Sequence, residues 1–232
     1  MQEIYALKVP PYVEEESFHH LLTIVSEKKR KKIERMVRVE DKYRMLLGDV
    51  LIRYIASDIY NISPASIQFE YNEYGKPFFK GGGFSFNLSH AGNWIVCIIN
   101  DGPVGIDIEK IQPIDLSIAE SFFSIDEWSD LYQKSSEIER LEYFFDLWTL
   151  KESYVKARGK GLSIPLNSFT IRKTDCSNIT IRTNETQDAI FLRQYNLDSQ
   201  YKLSVCSTVD NFPEEIILAR LLSAPDYINL KS

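Results

Sequence analysis

Two strand hairpins, each ending on a Val-Cys pair and each preceded by helix-forming sequence, divide this chain into halves of one pattern. The pairs are Val96-Cys97 and Val205-Cys206. In the first half, residues 18–37 read as a helical region with a cap at Ser26. Met45, Leu46, Val50, Leu51, Tyr54 and Ile55 fall on one face of a helix over 40–60. Residues 67–71 read as a short strand and Gly81-Gly82-Gly83 as a turn. Residues 84–89 and 94–99, linked by His90-Ala91-Gly92-Asn93, predict a hairpin. The second half opens with the strand-like run Val104 to Glu109. Helices over 116–123, 124–133 and 138–158 follow, then strands over 169–172, 179–183, 189–195 and 202–207. The order implies an internal duplication with its boundary at Asp101-Gly102-Pro103. We therefore expect an α+β fold of two subdomains, 1–102 and 103–232. No linker separates them, so they should share an interface, a favoured place for a ligand cleft.

Composition limits what such a fold can do. A hydrophobic fraction of 44% and a charged fraction of 26% over 232 residues suit a globular protein with a sizeable core. No apolar run approaches the ~20 residues that cross a bilayer. The N-terminal residues lack the basic start and apolar stretch of a secretory signal, which makes the cytoplasm the expected compartment. Three cysteines without Cys-x-x-Cys spacing argue against zinc and fit a reducing environment. The net charge of −6 opposes general nucleic-acid binding. Yet Lys28, Lys29, Arg30, Lys31, Lys32, Arg35, Arg38, Lys42 and Arg44 stand close together, opposed by Glu34, Glu40 and Asp41. Such a run is either a solvated helix face or a site for a focused anion.

Three further constellations can carry chemistry. In Asp107-Ile108-Glu109, residues i and i+2 of a strand share a face, so both carboxylates project together while Ile106 and Ile108 enter the core. Paired hard oxygens suit Mg2+, and they equally suit an exposed acidic strand face. In Trp148 to Lys156, Glu152 and Lys156 stand at i, i+4 on a helix; this is also the spacing of an ordinary ion pair worth ~0.3–0.5 kcal/mol. Asn87-Leu88-Ser89-His90-Ala91-Gly92 offers a hydroxyl, an imidazole and backbone N–H groups to a phosphate, or simply forms a polar turn. Tyr74-Gly75-Lys76-Pro77 suits a nucleotide contact or a plain turn. No Walker loop, Rossmann fingerprint or zinc spacing occurs. The residues alone thus describe a magnesium-organised site for a phosphate-rich nucleotide, which another magnesium-dependent transferase or hydrolase would also need.

Taken in order, these motifs resemble the Sfp-type (surfactin-synthetase-activating) 4'-phosphopantetheinyl transferases. That family is marked by a Gly-Ile-Asp-x-Glu strand, here Gly105 to Glu109, and a Trp-x-x-Lys-Glu-x-x-x-Lys helix, here Trp148 to Lys156. The likeness extends through Leu46-Leu47-Gly48-Asp49, Glu73 to Pro77, Phe86 to His90 and Phe122-Phe123-Ser124, and fades in the first residues and after Pro213. It implies a pseudo-twofold pair of α+β subdomains with coenzyme A between them. It implies Mg2+ on Asp107, Glu109 and Glu152. It also implies the 3'-phosphate held by Lys29, Lys32, Arg44, Ser89 and His90, adenine lined by Tyr74, Gly75, Lys76 and Pro77, and phosphates touched by Lys151 and Lys156. Glu152, directly or through metal-bound water, would act as base, and Lys156 would stabilise or protonate the departing 3',5'-ADP. The acceptor would be a serine of an apo-carrier protein and the enzyme a monomer. Residues 111–123, with Ile114, Leu116 and Ile118, and residues 159–190 are the two candidate docking segments; their apolar residues fit core packing as well.

Overall fold

The computed structural model describes residues 2–184, 189–222 and 227–230. The first half runs β1 (Gln2–Lys8), α1 (Glu15–Ile24), α2 (Glu27–Glu34), α3 (Val39–Tyr60), β2 (Phe69–Tyr71), β3 (Pro77–Phe79), β4 (Ser85–Ala91) and β5 (Trp94–Asn100). The second repeats that order: β6 (Val104–Lys110), α4 (Ala119–Phe122), α5 (Ile125–Tyr132), α6 (Glu137–Arg158), β7 (Thr170–Lys173), β8 (Ile179–Arg182), β9 (Phe191–Tyr195) and β10 (Tyr201–Ser207). The long helices α3 and α6 have 22 residues each. Strand order repeats as well, β1-β5-β4 against β6-β10-β9. Asn100 and Ser207, which end β5 and β10, meet each other at 3.0 Å.

The layers follow from strand alternation. Tyr5, Leu7, Ile95, Cys97 and Ile99 pack with Leu46, Val50 and Leu51 of α3. Ile4, Ala6, Val96 and Ile98 turn the other way and pack with Ile106, Ile108, Leu203 and Val205 of the second sheet. On the far side of that sheet, Leu192 and Cys206 join Leu147, Leu150 and Tyr154 of α6. Every residue of β5 is buried, because both faces of its sheet are covered.

Four sequence expectations shift. The helical region 18–37 is two helices broken at Val25, since the Ser26 hydroxyl accepts from Lys29 N and starts α2 afresh. His90 and Ala91 belong to β4, and the hairpin turns on Gly92-Asn93, Gly92 having φ 49°. The strand expected from Ala189 begins at Phe191. Lastly, 103–232 is not one contiguous unit. Beyond β10 the chain returns to the first half, where β11 (Ile217–Leu221) pairs in parallel with β1 and carries β12 (Ile228–Asn229) on its outer edge. β11 lies between β1 and β12, yet only Ala219 of its residues is buried, so its sequence shows no clear alternation.

Candidate active site

The site forms where β4, β6 and α6 converge. Asn87 Oδ1 accepts the backbone N–H of Ile106 at 2.9 Å, joining the edges of the two sheets. Two residues on, the Ser89 hydroxyl donates to Asp107 Oδ1 at 2.8 Å. From the other side α6 lies so close to β6 that a Cβ on Gly105 would stand 2.0 Å from Ser153 O and 2.4 Å from Ala157 N. Glycine is required there by proximity, and that approach brings Glu152 and Lys156 against the acidic strand.

Lys156 bridges the elements. Its ammonium lies 2.6 Å from Asp107 Oδ1, 3.0 Å from Ser89 Oγ and 3.3 Å from Ile106 O. Asp107 Oδ2 is buried with no hydrogen-bond partner. Burial, then the Asp107 charge, push the Glu109 carboxyl up to about 7; Lys156 opposes and Glu152 adds to the rise. Burial and Asp107 likewise raise Glu152, against the pull of Lys156. The charges of Asp107, Glu109 and Glu152 thus act on one another, with the Lys156 ammonium opposing them. Among the described residues no set of three His, Cys, Asp or Glu is already drawn into a metal cage. The orphaned Asp107 oxygen and the two strained carboxyls nevertheless fit a hard divalent cation, which takes oxygen ligands.

The basic residues occupy two places. Lys29 and Lys32 line a cavity of about 620 Å³, together with Lys28, Asp49, Arg53 and Tyr71. Lys29 pairs with the buried Asp49 at 3.2 Å. Arg44 Nη1 donates to Gly92 O at 2.9 Å at the tip of the β4–β5 hairpin. Desolvation, Arg44 and Lys156 push the nearby His90 imidazole down, with Asp41 opposing. Tyr74 is exposed and Gly75 turns with φ 85° in the β2–β3 connection. Pro77 opens β3. Lys76 from that connection is partly buried, and its ammonium donates to backbone carbonyls of β6 and α6.

Lys151 is a correction. Its side chain is fully buried, paired with Glu127 at 2.7 Å and donating to Leu166 O and Phe169 O at 2.8 Å each. All its donors are committed to the core, so it offers none to a phosphate. It stands one residue before Glu152 and therefore faces the core of the second half, while Glu152 faces Asp107 and Lys156. Asn87, Gly105 and Glu127 were absent from the sequence-derived set. Gly105 stands in the strand motif, and the Ser124-x-x-Glu127 spacing is the unread signal of a capping box, which is formed. The reach of Glu127 to Lys151 has no local signal. Of the docking segments, Leu116 and Ile118 pack on the core while Ile114 is exposed. In 159–190, residues 185–188 lie outside the described residues.

Known proteins match this sequence along most of its length. Residues 103–206 match the model of the 4'-phosphopantetheinyl transferase superfamily, and residues 12–100 that of a 4'-phosphopantetheinyl transferase N-terminal region. The 4'-phosphopantetheinyl transferase ffp of Bacillus subtilis is 40% identical over 93% of this chain and 96% of its own. The chain belongs to the 4'-phosphopantetheinyl transferase superfamily. Sfp of Bacillus subtilis (strain 168) is 39% identical to this transferase over 93% of it and 96% of Sfp. The transferase gsp of Aneurinibacillus migulanus is 42% identical over 89% of this chain and 86% of its own. The Asp107, Glu152 and Lys156 constellation lies within the residues matched by the superfamily model.

Proposed function

We propose that this transferase moves the 4'-phosphopantetheine arm of coenzyme A onto a serine hydroxyl of an apo-carrier protein, with Mg2+ held by Asp107, Glu109 and Glu152. The observation that carries the reading is the buried, unpartnered Asp107 Oδ2 beside two carboxyls whose protonation is favoured by burial and then by the Asp107 charge. When bound, a divalent cation supplies charge neutralisation to pyrophosphate oxygens.

The chain's own groups supply the rest. A serine hydroxyl is a weak nucleophile, so its proton must leave as its oxygen bonds to the β-phosphorus. Glu152, whose carboxyl faces Asp107 and Lys156, accepts it. The bond from that phosphorus to the bridging pyrophosphate oxygen breaks, and the electron pair leaves with 3',5'-ADP. Lys156 stands where it can hold charge on that leaving group. Arg44 and His90 at the β4–β5 hairpin hold the 3'-phosphate of the nucleotide and Lys29 and Lys32 approach it from the neighbouring cavity, the Ser89 hydroxyl having first to leave Asp107, while the backbone of residues 74–77 lines adenine. The carrier docks across the exposed apolar residues Ile114, Phe122 and Ile125. Among the described residues no helix is long and apolar enough to cross a membrane. The reading places the protein as a monomer in the cytoplasm.

The test is a loading assay with coenzyme A and a panel of apo-carriers, with and without chelator. Holo-carrier of the expected mass and released 3',5'-ADP, lost on chelation and restored by Mg2+, support the reading. Transfer unaffected by chelator would overturn the metal assignment, and no transfer to any carrier the function. Glu152→Gln should remove most turnover while coenzyme A binding survives.

A further inference from the structure

The turn between β2 and β3 belongs to the first half, yet two of its side chains end on the second. Asn72 folds the turn by accepting Tyr74 N and Lys76 N on Oδ1, at 3.0 and 2.8 Å. Its Nδ2 then donates to Gly159 O, at the C-terminal end of α6, at 2.8 Å. Lys76 reaches further in. Its ammonium donates to Lys156 O at 2.6 Å, Val104 O at 2.9 Å and Ala157 O at 3.4 Å.

These acceptors have a chemical meaning. Lys156 O is the carbonyl of the residue whose ammonium sits on Asp107, and Val104 opens the strand that carries Asp107. An ammonium has three N–H donors, and here three carbonyls face it, so the side chain keeps none for a ligand. Two of the carbonyls belong to the last turn of α6, the negative end of its dipole, which a cation favours. The fit is close: a Cβ on Gly159 would lie 3.2 Å from Lys76 Cδ and 3.4 Å from Asn72 Nδ2. Burial lowers the ammonium's pKa to about 8, which leaves it mostly charged near neutrality.

We propose that Lys76 is a positioning residue: through the carbonyls of Lys156 and Val104 it sets the end of α6 against β6, and so the place of the Lys156 ammonium. It does not bind nucleotide with its own side chain. This inference rests on the transferase reading above for its activity readout.

The experiment compares full-length wild type, Lys76→Met, Lys76→Arg, Lys156→Ala and the Lys76→Met/Lys156→Ala double variant. Coenzyme A Kd is measured by calorimetry, and kcat and KM by carrier loading. Lys76→Met should lower kcat about 10-fold or more with Kd changed less than about 2-fold, and should add less than about 2-fold to the loss in the Lys156→Ala background. Lys76→Arg, which retains donors for the same carbonyls, should recover most of the lost kcat. A weakened coenzyme A affinity at unchanged kcat would overturn the proposal, making Lys76 a nucleotide ligand. So would the full kcat loss persisting without the Lys156 ammonium. If Lys76→Met fails to fold, Lys76→Gln, whose amide ends one bond short of the ammonium and so withdraws from the three carbonyls, carries the same comparison: unchanged kcat there rejects the proposal, and lower kcat at unchanged Kd supports it. Absence of loading by wild type would reject the transferase reading itself, which no result among the Lys76 variants can mimic.

Discussion

Glu127 and Lys151 face each other at 2.7 Å with both side chains wholly removed from solvent. Arg53 does the corresponding work in the first half. It reaches from α3 to Pro64 O and Ile67 O, as Lys151 reaches from α6 to Leu166 O and Phe169 O. In both halves the acceptors are the first residue of a 3-10 turn and the residue just after it. Arg53 balances its charge on Asp49 at 2.6 Å, Lys151 on Glu127. Lys151→Met strands the Glu127 carboxylate, so it should cost about 3–5 kcal/mol in urea unfolding. A loss below about 1 kcal/mol, the level of an exposed pair, would show that the pair is not the tie described.

Gly105→Ala tests the close approach of β6 to α6. The new methyl meets backbone on α6, which cannot rotate away. Overpacking of this kind costs about 1–3 kcal/mol or more. Because the strain separates Asp107 from Lys156, transfer should fall by more than the folded fraction does. Activity tracking the folded fraction alone would refute the link.

A pH dependence follows for the metal-free protein. Glu109 titrates at about 7 in the fold and near its ordinary carboxylate value when unfolded. The folded state therefore binds more protons between those values, and stability falls as pH rises through that window. The melting temperature of wild type should drop, relative to Glu109→Gln, between about pH 4.5 and 7. Added Mg2+ should remove the difference by neutralising the site. Parallel curves for the two proteins would count against the crowded-carboxylate account.

Carrier docking is tested at Ile125, 82% exposed at the first residue of α5 and close in sequence to the exposed Phe122. Ile125→Asp should raise KM for the carrier about 10-fold, the scale of a central interface residue, with coenzyme A affinity unchanged. An unaltered carrier KM would move the docking surface elsewhere.

What the sequence made legible was the periodic part. The apolar repeat in residues 40–60, the alternation of Gly105 to Glu109 and the hairpin patterns lead to α3, β6 and the paired β4–β5 and β9–β10 strands. The site's acids were legible because strand alternation and helix spacing are local rules. Lys151 was misread because neighbouring helix positions differ in facing by about 100°, and only packing tells which one looks inward. Asn87 and Asn72 act across sequence separations that no local pattern records. The duplication also hides an asymmetry. β1 pairs with β5 as β6 pairs with β10, which puts Tyr5 and Leu7 where the second half has Asp107 and Glu109. One copy of the scaffold keeps the acids, and the other supplies the hydrophobic counterpart.

The parallel pairing of β1 with β11, Tyr5 beside Ile217, has a consequence for biosynthesis. β1 and its outer neighbour β11 are separated in sequence by the whole of the second half, so β1 obtains that neighbour only after that half has been made. Until then the nascent chain presents an unpaired edge, the surface on which aggregation begins. The interval before β11 arrives, rather than the finished sheet, is where this fold is most open to aggregation.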